Sequence, residues 1–256
     1  MIWTEHIQVP LYLCTHSDLL SLWGVARMFQ DAADNHTTAE HIGYADLQKE
    51  NKAWVLSRIH YEVYAVPAAY EQVVVQTWSR GTDGLFAVRD TTLSDAHGHV
   101  FVAATSYWVI IDMERRRVCR MHDKVLHYDH TPRQATPVTA LPKLPLPEVE
   151  QTALVRNFVA PYSSIDHTRH VNNAEYIRWA LDAYASSAPE GGEVNRLTAA
   201  HSLVEGRGAW SFDIHYLQET RYAEQVELRE YRGDDAYDLV MQTPRGLSAV
   251  CRIARL

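Results

Sequence analysis

The chain has 256 residues, 46% of them hydrophobic, enough for one large domain or two small ones with a proper core. A formal charge of −8 argues against a protein that works by coating nucleic acid, so any acidic partner must meet a local basic patch. Cys14, Cys119 and Cys251 lie far apart with no CxxC pair; neither a disulfide framework nor a thiolate metal site is suggested, and a reducing cytoplasm fits.

The N-terminal stretch MIWTEHIQVPLYLC lacks the basic and long apolar regions of a signal peptide, and no apolar run is long enough to cross a bilayer. A soluble cytoplasmic protein is expected. HIQVPLYLC reads as a short alternating strand. In SDLLSLWGVARMFQDAADNHT, the residues Leu19, Leu22, Trp23, Ala26 and Phe29 recur at helical spacing behind a cap at Ser17 or Asp18. AWVLSRIHYEVYAV, EQVVVQTWSR, GLFAVRDTTLS and HVFVAATSYWVIIDM follow, rich in β-branched and aromatic residues, and read as an antiparallel sheet with a turn at DAHG.

Residues 127–151 hold five of the ten prolines and no apolar period, which reads as a linker. It divides the chain into halves, 1–126 and 152–256. The second half repeats the order of the first: strand ALVRNFVAPY, helix NNAEYIRWALDAYASSA, then four strands from GAWSFDIHYLQ to LSAVCRIAR, with turns at RGDD and TPRG. At an offset of 148, Asp18 falls on Asp166, Ala26 on Ala174 and Leu22 on His170. An antiparallel sheet that follows one helix in each half can curl around it and bury its apolar stripe, which predicts an α+β fold built twice.

The second helix is preceded by a dense polar stretch, SSIDHTRHVNN. If Val171 or Asn172 begins the helix, first-turn amides point at the same small volume as the Asp166 carboxylate. Amides that hold an oxyanion beside a carboxylate that activates water or attacks directly are the parts of acyl transfer to water. The same residues admit a plainer reading. Asp166 as a helix cap, His170 as a satisfied core histidine and Asn172 with Asn173 as cap or turn residues would leave no site.

The stretch DHTRHVNNAEYIRWALDA resembles the signature of the fatty acyl-ACP thioesterases, D-x-N-x-H-V-N-N-x-x-Y-I-x-W. KENKAWVLSRIHYEVYAVPAAYEQVVVQTWSRG and RDTTLSDAHGHVFVAATSYWVIIDMERRR extend the resemblance over most of the chain. It implies two tandem hotdog domains of the bacterial type: an N-terminal one (1–126) for the acyl chain and a C-terminal one (152–256) with the catalytic residues. It implies hydrolysis of acyl-ACP thioesters to fatty acid and holo-ACP, with Asp166 as the catalytic aspartate, His170 as its histidine and Glu219 as the family's acid. Thr168, Asn172 and Asn173 are implied as supporting or substrate-positioning residues. Thr168 departs from the family's asparagine and Thr220 from its cysteine, so the motif offers no sulfur nucleophile.

Two alternatives remain open on this reading, a general acyl-CoA thioesterase and a non-catalytic acyl-thioester-binding hotdog protein; the second would keep the tunnel and lose the acid. The H-x-x-x-x-P-G motif of hotdog dehydratases is absent. Without GxGxxG or Walker patterns no cofactor is expected, and His122, His127 and His130 do not have the spacing of a metal site. The implied partner is the acidic acyl carrier protein. Arg169 and Arg178, flanking the motif, are expected to dock it, whereas Arg115, Arg116, Arg117 and Arg120 read as a solvated strand end. Oligomeric state stays open, a homodimer included.

Overall fold

The computed structural model describes residues 1–121, 123–126, 130–141, 143–148, 151–186, 208–233 and 236–256, and the statements below concern these. The first half runs β1 (Trp3–Gln8), a 3-10 turn (Leu11–Leu13), α1 (Leu22–Ala39), α2 (Tyr44–Gln48), β2 (Lys52–Val63), β3 (Gln72–Asp83), β4 (Phe86–Ser94), β5 (Val100–Asp112), β6 (Arg117–Val118) and α3 (Asp123–Leu126). The second half runs β7 (Ala153–Val159), a 3-10 turn (Tyr162–Ser164), α4 (Asn173–Ser186), β8 (Trp210–Tyr216), β9 (Gln225–Arg232), β10 (Ala236–Thr243) and β11 (Gly246–Arg255).

All strands join one antiparallel sheet. Its order is β1-β3-β4-β5-β2 in the first half and, in mirrored sequence, β8-β11-β10-β9-β7 in the second, with β2 paired to β8 at the junction and β6 added to β5. The two halves therefore use the same strand order. Alternation dictates which face turns inward: Ile59, Tyr61 and Val63 of β2 point to the helices and share one core cluster with Phe29 of α1, Ile177 and Trp179 of α4, and Phe212 of β8. Each such side chain, fully buried, contributes about 1.5–3 kcal/mol of hydrophobic stabilisation. Arg27 of α1 reaches across to Glu175 of α4 at 2.7 Å, and Arg178 pairs with the same carboxylate.

The repeat is real, but its offset is 151 rather than 148. The 3-10 turn at Leu11–Leu13 corresponds to Tyr162–Ser164, the bridge Cys14–Leu20 to Ile165–Val171, and the positive φ of Asp18 (58°) to that of Arg169 (68°). The backbone bonds follow: Thr15 N to Leu19 O matches Asp166 N to His170 O, and Ser21 N to Leu13 O matches Asn172 N to Ser164 O. Asp166 thus stands where Thr15 does, and His170 where Leu19 does. Ser21, not Ser17 or Asp18, caps α1, its hydroxyl accepting the Gly24 amide at 3.0 Å. Residues 15–20 are spent on the tight turn before it. The expected strand HIQVPLYLC begins earlier and ends at Gln8, because Pro10 cannot donate to the ladder and opens the 3-10 turn.

On the outer face a row of polar residues crosses six strands. Asp90, Thr105, His60, Asp213, Arg252 and Asp238 lie opposite one another in successive pairs from β4 to β10. Thr105 Oγ1 donates to Asp90 at 2.8 Å, His60 Nδ1 meets Asp213 at 2.8 Å, and Arg252 holds Asp238 through two bonds of 2.7 Å. His60 and Asp213 stitch the two halves together at the junction.

The described part of the proline-rich segment lies against this face. Trp78 Nε1 donates to Arg133 O at 2.8 Å, the Ala135 amide to Asp90 at 2.7 Å, and Arg58 to Leu141 O at 2.6 Å. Leu141 is buried with Val88 and Tyr107, and the Leu144 amide reaches His215 of β8 at 3.2 Å. The segment is a strap fastened to both halves. The expected turn RGDD falls partly outside the described residues.

Candidate active site

The loop that leads into α4 has the backbone form of the loop that leads into α1, so its shape does not depend on its polar side chains. What differs is the side chains it carries. The Val171 amide donates to Thr220 O at 2.9 Å and His170 bridges Arg221, which brings the 217–224 turn against the loop and sets Glu219 beside His170.

Asp166 does not cap α4. Its Oδ1 accepts the Thr168 amide at 2.8 Å and the Thr168 hydroxyl at 2.5 Å, and its Oδ2 accepts Asn172 Nδ2 at 3.2 Å. The cap is Asn172, whose Oδ1 takes the Ala174 amide at 3.0 Å and whose carbonyl takes the Glu175 amide at 2.9 Å. The carboxylate is oriented by its neighbours and is not consumed by the helix. The cap at Asn172 narrows one expectation. Two of the first-turn amides, those of Ala174 and Glu175, are taken up by Asn172, and Asn173 borders the cavity.

Thr168 ties Asp166 to His170. Its hydroxyl, donated to Asp166, lies 3.4 Å from His170 Nδ1, while His170 Nε2 lies 3.4 Å from Glu219 Oε2. Each ring nitrogen therefore faces an oxygen. Glu219 in turn accepts Arg116 Nη2 on both carboxylate oxygens, at 2.6 and 2.7 Å, and Arg221 Nη2 at 2.8 Å. Burial alone would push the Glu219 carboxyl up, but the bonds from Arg221 and Arg116 and the charge of His170 outweigh it and hold the group below its ordinary value. Glu219 stays a carboxylate.

Asp166, Thr168, His170, Asn172, Asn173 and Glu219 all border one cavity of about 760 Å³, within the range of small-molecule sites. From them it extends into the first half between α1 and the sheet, along Leu56, Trp108, Ile111 and, under α2, Ile42. Thr220, at the family's cysteine position, is fully buried and outside this lining.

The docking candidates are not alike. Arg169 is exposed, whereas Arg178 is committed to Glu175. The run expected to be a solvated strand end divides: Arg116 turns in to Glu219, from the far half of the molecule. Nothing in the sequence singles it out from Arg115 or Arg117. The Arg27–Glu175 pair also escaped the sequence, although the spacing from Asn172 to Glu175 marks a helix start where an acid is favoured. His122 and His127 lie outside the described residues, and His130 hydrogen-bonds Ser79 at 3.2 Å. Among the described residues no helix is long and apolar enough to cross a membrane.

Two family models match the chain: the acyl-ACP thioesterase N-terminal domain over residues 1–128 and the acyl-ACP thioesterase C-terminal domain over residues 148–243. Among curated proteins, the chloroplastic oleoyl-acyl carrier protein thioesterase 2 of Arabidopsis thaliana is 30% identical over 62% of this chain and 47% of its own length. The chloroplastic palmitoyl-acyl carrier protein thioesterase of Gossypium hirsutum is 22% identical over 94% of this chain and 62% of its own. The chain spans about half the length of the first of these relatives. Among solved structures, an acyl-ACP thioesterase from Bacteroides thetaiotaomicron superposes with a TM-score of 0.82 at 20% identity, covering 99% of this chain and 97% of that one. The 12:0-ACP thioesterase of Umbellularia californica gives 0.75 at 18% identity over 99% and 96%. At these identities the structures speak for the fold, an α+β arrangement with few helices on an antiparallel sheet.

Proposed function

Because the chain belongs to the acyl-ACP thioesterase family, we propose that it hydrolyses fatty acyl-ACP thioesters, with Asp166, His170 and Glu219 as the reacting machinery. The observation that carries this reading is the release of Asp166 from capping: Asn172 satisfies the helix, so an oriented carboxylate borders a cavity that runs on past Leu56, Trp108 and Ile111, with polar side chains such as Asp31 and Arg89 also in its lining. A carboxylate spent on a helix terminus could not do this work.

In the reaction, the thioester carbonyl lies at the mouth of α4, with the Asn173 amide as donor to its oxygen. Asp166 either takes a proton from water, whose oxygen then attacks the carbonyl carbon, or attacks that carbon itself to give an anhydride that water opens. In both routes the C–S bond breaks, the sulfur leaves as the carrier's thiol once protonated, and the acid is released. His170, held between Thr168 and Glu219, moves the proton and steers Asp166; Thr168 supplies through its hydroxyl the link that the family's asparagine would make. The two halves act as tandem hotdog domains, 1–126 for the acyl chain and 152–256 for the chemistry, with the cytoplasm as the compartment. The substrate is presented by the acidic acyl carrier protein, and Arg169 is better placed to meet it than Arg178, which is bound to Glu175.

The test is turnover across acyl-ACP chain lengths beside the same acyl-CoA substrates, at low and high salt. Faster hydrolysis of acyl-ACP, with an advantage that shrinks as salt screens exposed charges beyond about 10 Å at 0.1 M, is expected. Equal rates on both at low salt would reassign the protein to general acyl-CoA hydrolysis, and binding without turnover would make it a carrier or sensor.

A further inference from the structure

Arg116 is the one side chain of the first half that hydrogen-bonds a proposed reacting group of the second among the described residues, and three observations set it apart. It contacts both oxygens of Glu219 from across the chain, at 2.6 and 2.7 Å. It borders the cavity together with Glu219 and His170. It also adopts φ 54° at the tip of the turn between β5 and β6, a left-handed conformation that costs a side-chain-bearing residue free energy and that glycine takes without strain. Asp112 builds that turn, its Oδ1 accepting the Glu114 amide at 3.0 Å and the Arg115 amide at 2.8 Å, so the turn has its own support and does not need Arg116 to form.

We infer that Arg116 is a positioning residue for the hydrolysis, supplied by the first half: it fixes the Glu219 carboxylate against His170 Nε2, and the second half's site is incomplete without it. The inference rests on the reading of Asp166, His170 and Glu219 given above. A single nitrogen, Nη2, sits between the two Glu219 oxygens, so the contact holds both at once and restrains the turn of the carboxylate. Arg221 alone does not replace it. That residue binds a single oxygen of Glu219 from two positions along the same turn, and so moves with the group it would have to anchor.

The substitution that separates positioning from architecture is Arg116→Gly. Glycine relieves the positive φ, so the melt of the variant should equal or exceed that of the parent protein. Hydrolysis of acyl-ACP should nevertheless fall on the order of 10-fold in kcat, part of the roughly 10²–10⁴ that positioned proton transfer contributes, with KM little changed. The acid limb of the kcat/KM profile should move to higher pH, because Glu219 loses a bond that holds it low. Arg116→Lys should recover part of the rate and of the shift. Parent rate and parent pH profile in Arg116→Gly, alongside a Glu219→Gln variant that is impaired, would overturn the inference and leave the site standing. Parent rate in Glu219→Gln would overturn the reading of the site itself.

Discussion

Replacing Asn172 with alanine removes one side chain that does two jobs, and the structure says how large the loss should be. Its Oδ1 takes the Ala174 amide at 3.0 Å, an N-cap whose deletion costs about 1 kcal/mol within a range of roughly 0.5–2. Its Nδ2 donates to Asp166 at 3.2 Å, a half-exposed bond near the lower end of about 0.5–1.5 kcal/mol. Together these give about 1.5–2 kcal/mol, or a fall of roughly 3–8 °C in the melt for a protein of this size. Asp166→Ala loses the bonds from Thr168 and the same bond from Asn172, all of which water can replace, but touches no helix amide, so it should cost about 1 kcal/mol, less than Asn172→Ala by the value of the cap. Urea denaturation and thermal melts of the two variants side by side provide the comparison. An Asp166→Ala protein that melts as low as Asn172→Ala, or lower, would mean that the carboxylate is a structural cap after all.

His60 should make stability depend on pH. Burial alone would lower it, but Asp213 on β8 and Glu62 on its own strand outweigh that and raise it, with Thr105 opposite on β5 and Arg252 beyond Asp213. A histidine raised in the folded state stabilises fully below its unfolded value of 6.5 and loses that contribution as pH rises through the folded value. The advantage of the parent over His60→Gln in urea should therefore be largest in mild acid and shrink above that value; an advantage that grows with pH would contradict the assignment. Thiol alkylation should leave hydrolysis intact, since none of Cys14, Cys119 and Cys251 borders the cavity and burial pushes the Cys14 and Cys251 thiols up. Inactivation by a maleimide, prevented by bound acyl substrate, would place a sulfur in the site.

Much of this architecture is legible in the residues because periodicity and sheet propensity act locally. The β-branched runs became β2 to β5, and the helix after NN began one residue beyond Asn172. The repeat was legible as an order of elements but not in its offset. Matching Asp18 to Asp166 attracts the eye, yet the equivalence lies in backbone hydrogen bonds and in a positive φ shared by an aspartate and an arginine, which side-chain identity does not report. The prolines of 127–151 read as a linker, and nothing in them shows that Leu141 is buried or that Asp90 binds the Ala135 amide. In the loop before α4, the spacing of Asp166 and His170 is visible and the assignment of the cap to Asn172 is not, since both Asp and Asn are good caps. Arg116 could not be found at all, because what distinguishes it is a contact 103 residues away along the chain.

Whether Asp166 acts on the thioester is decided by single-turnover hydrolysis of acyl-ACP by the Asp166→Asn variant. Asparagine keeps the shape of the side chain and an oxygen for Thr168, so the melt should stay within about 1 kcal/mol of the parent. The charge that takes a proton or attacks carbon is gone, and the rate should fall at least about 10²-fold. A folded Asp166→Asn protein that hydrolyses acyl-ACP at the parent rate would show that the Asp166 carboxylate takes no part in the reaction.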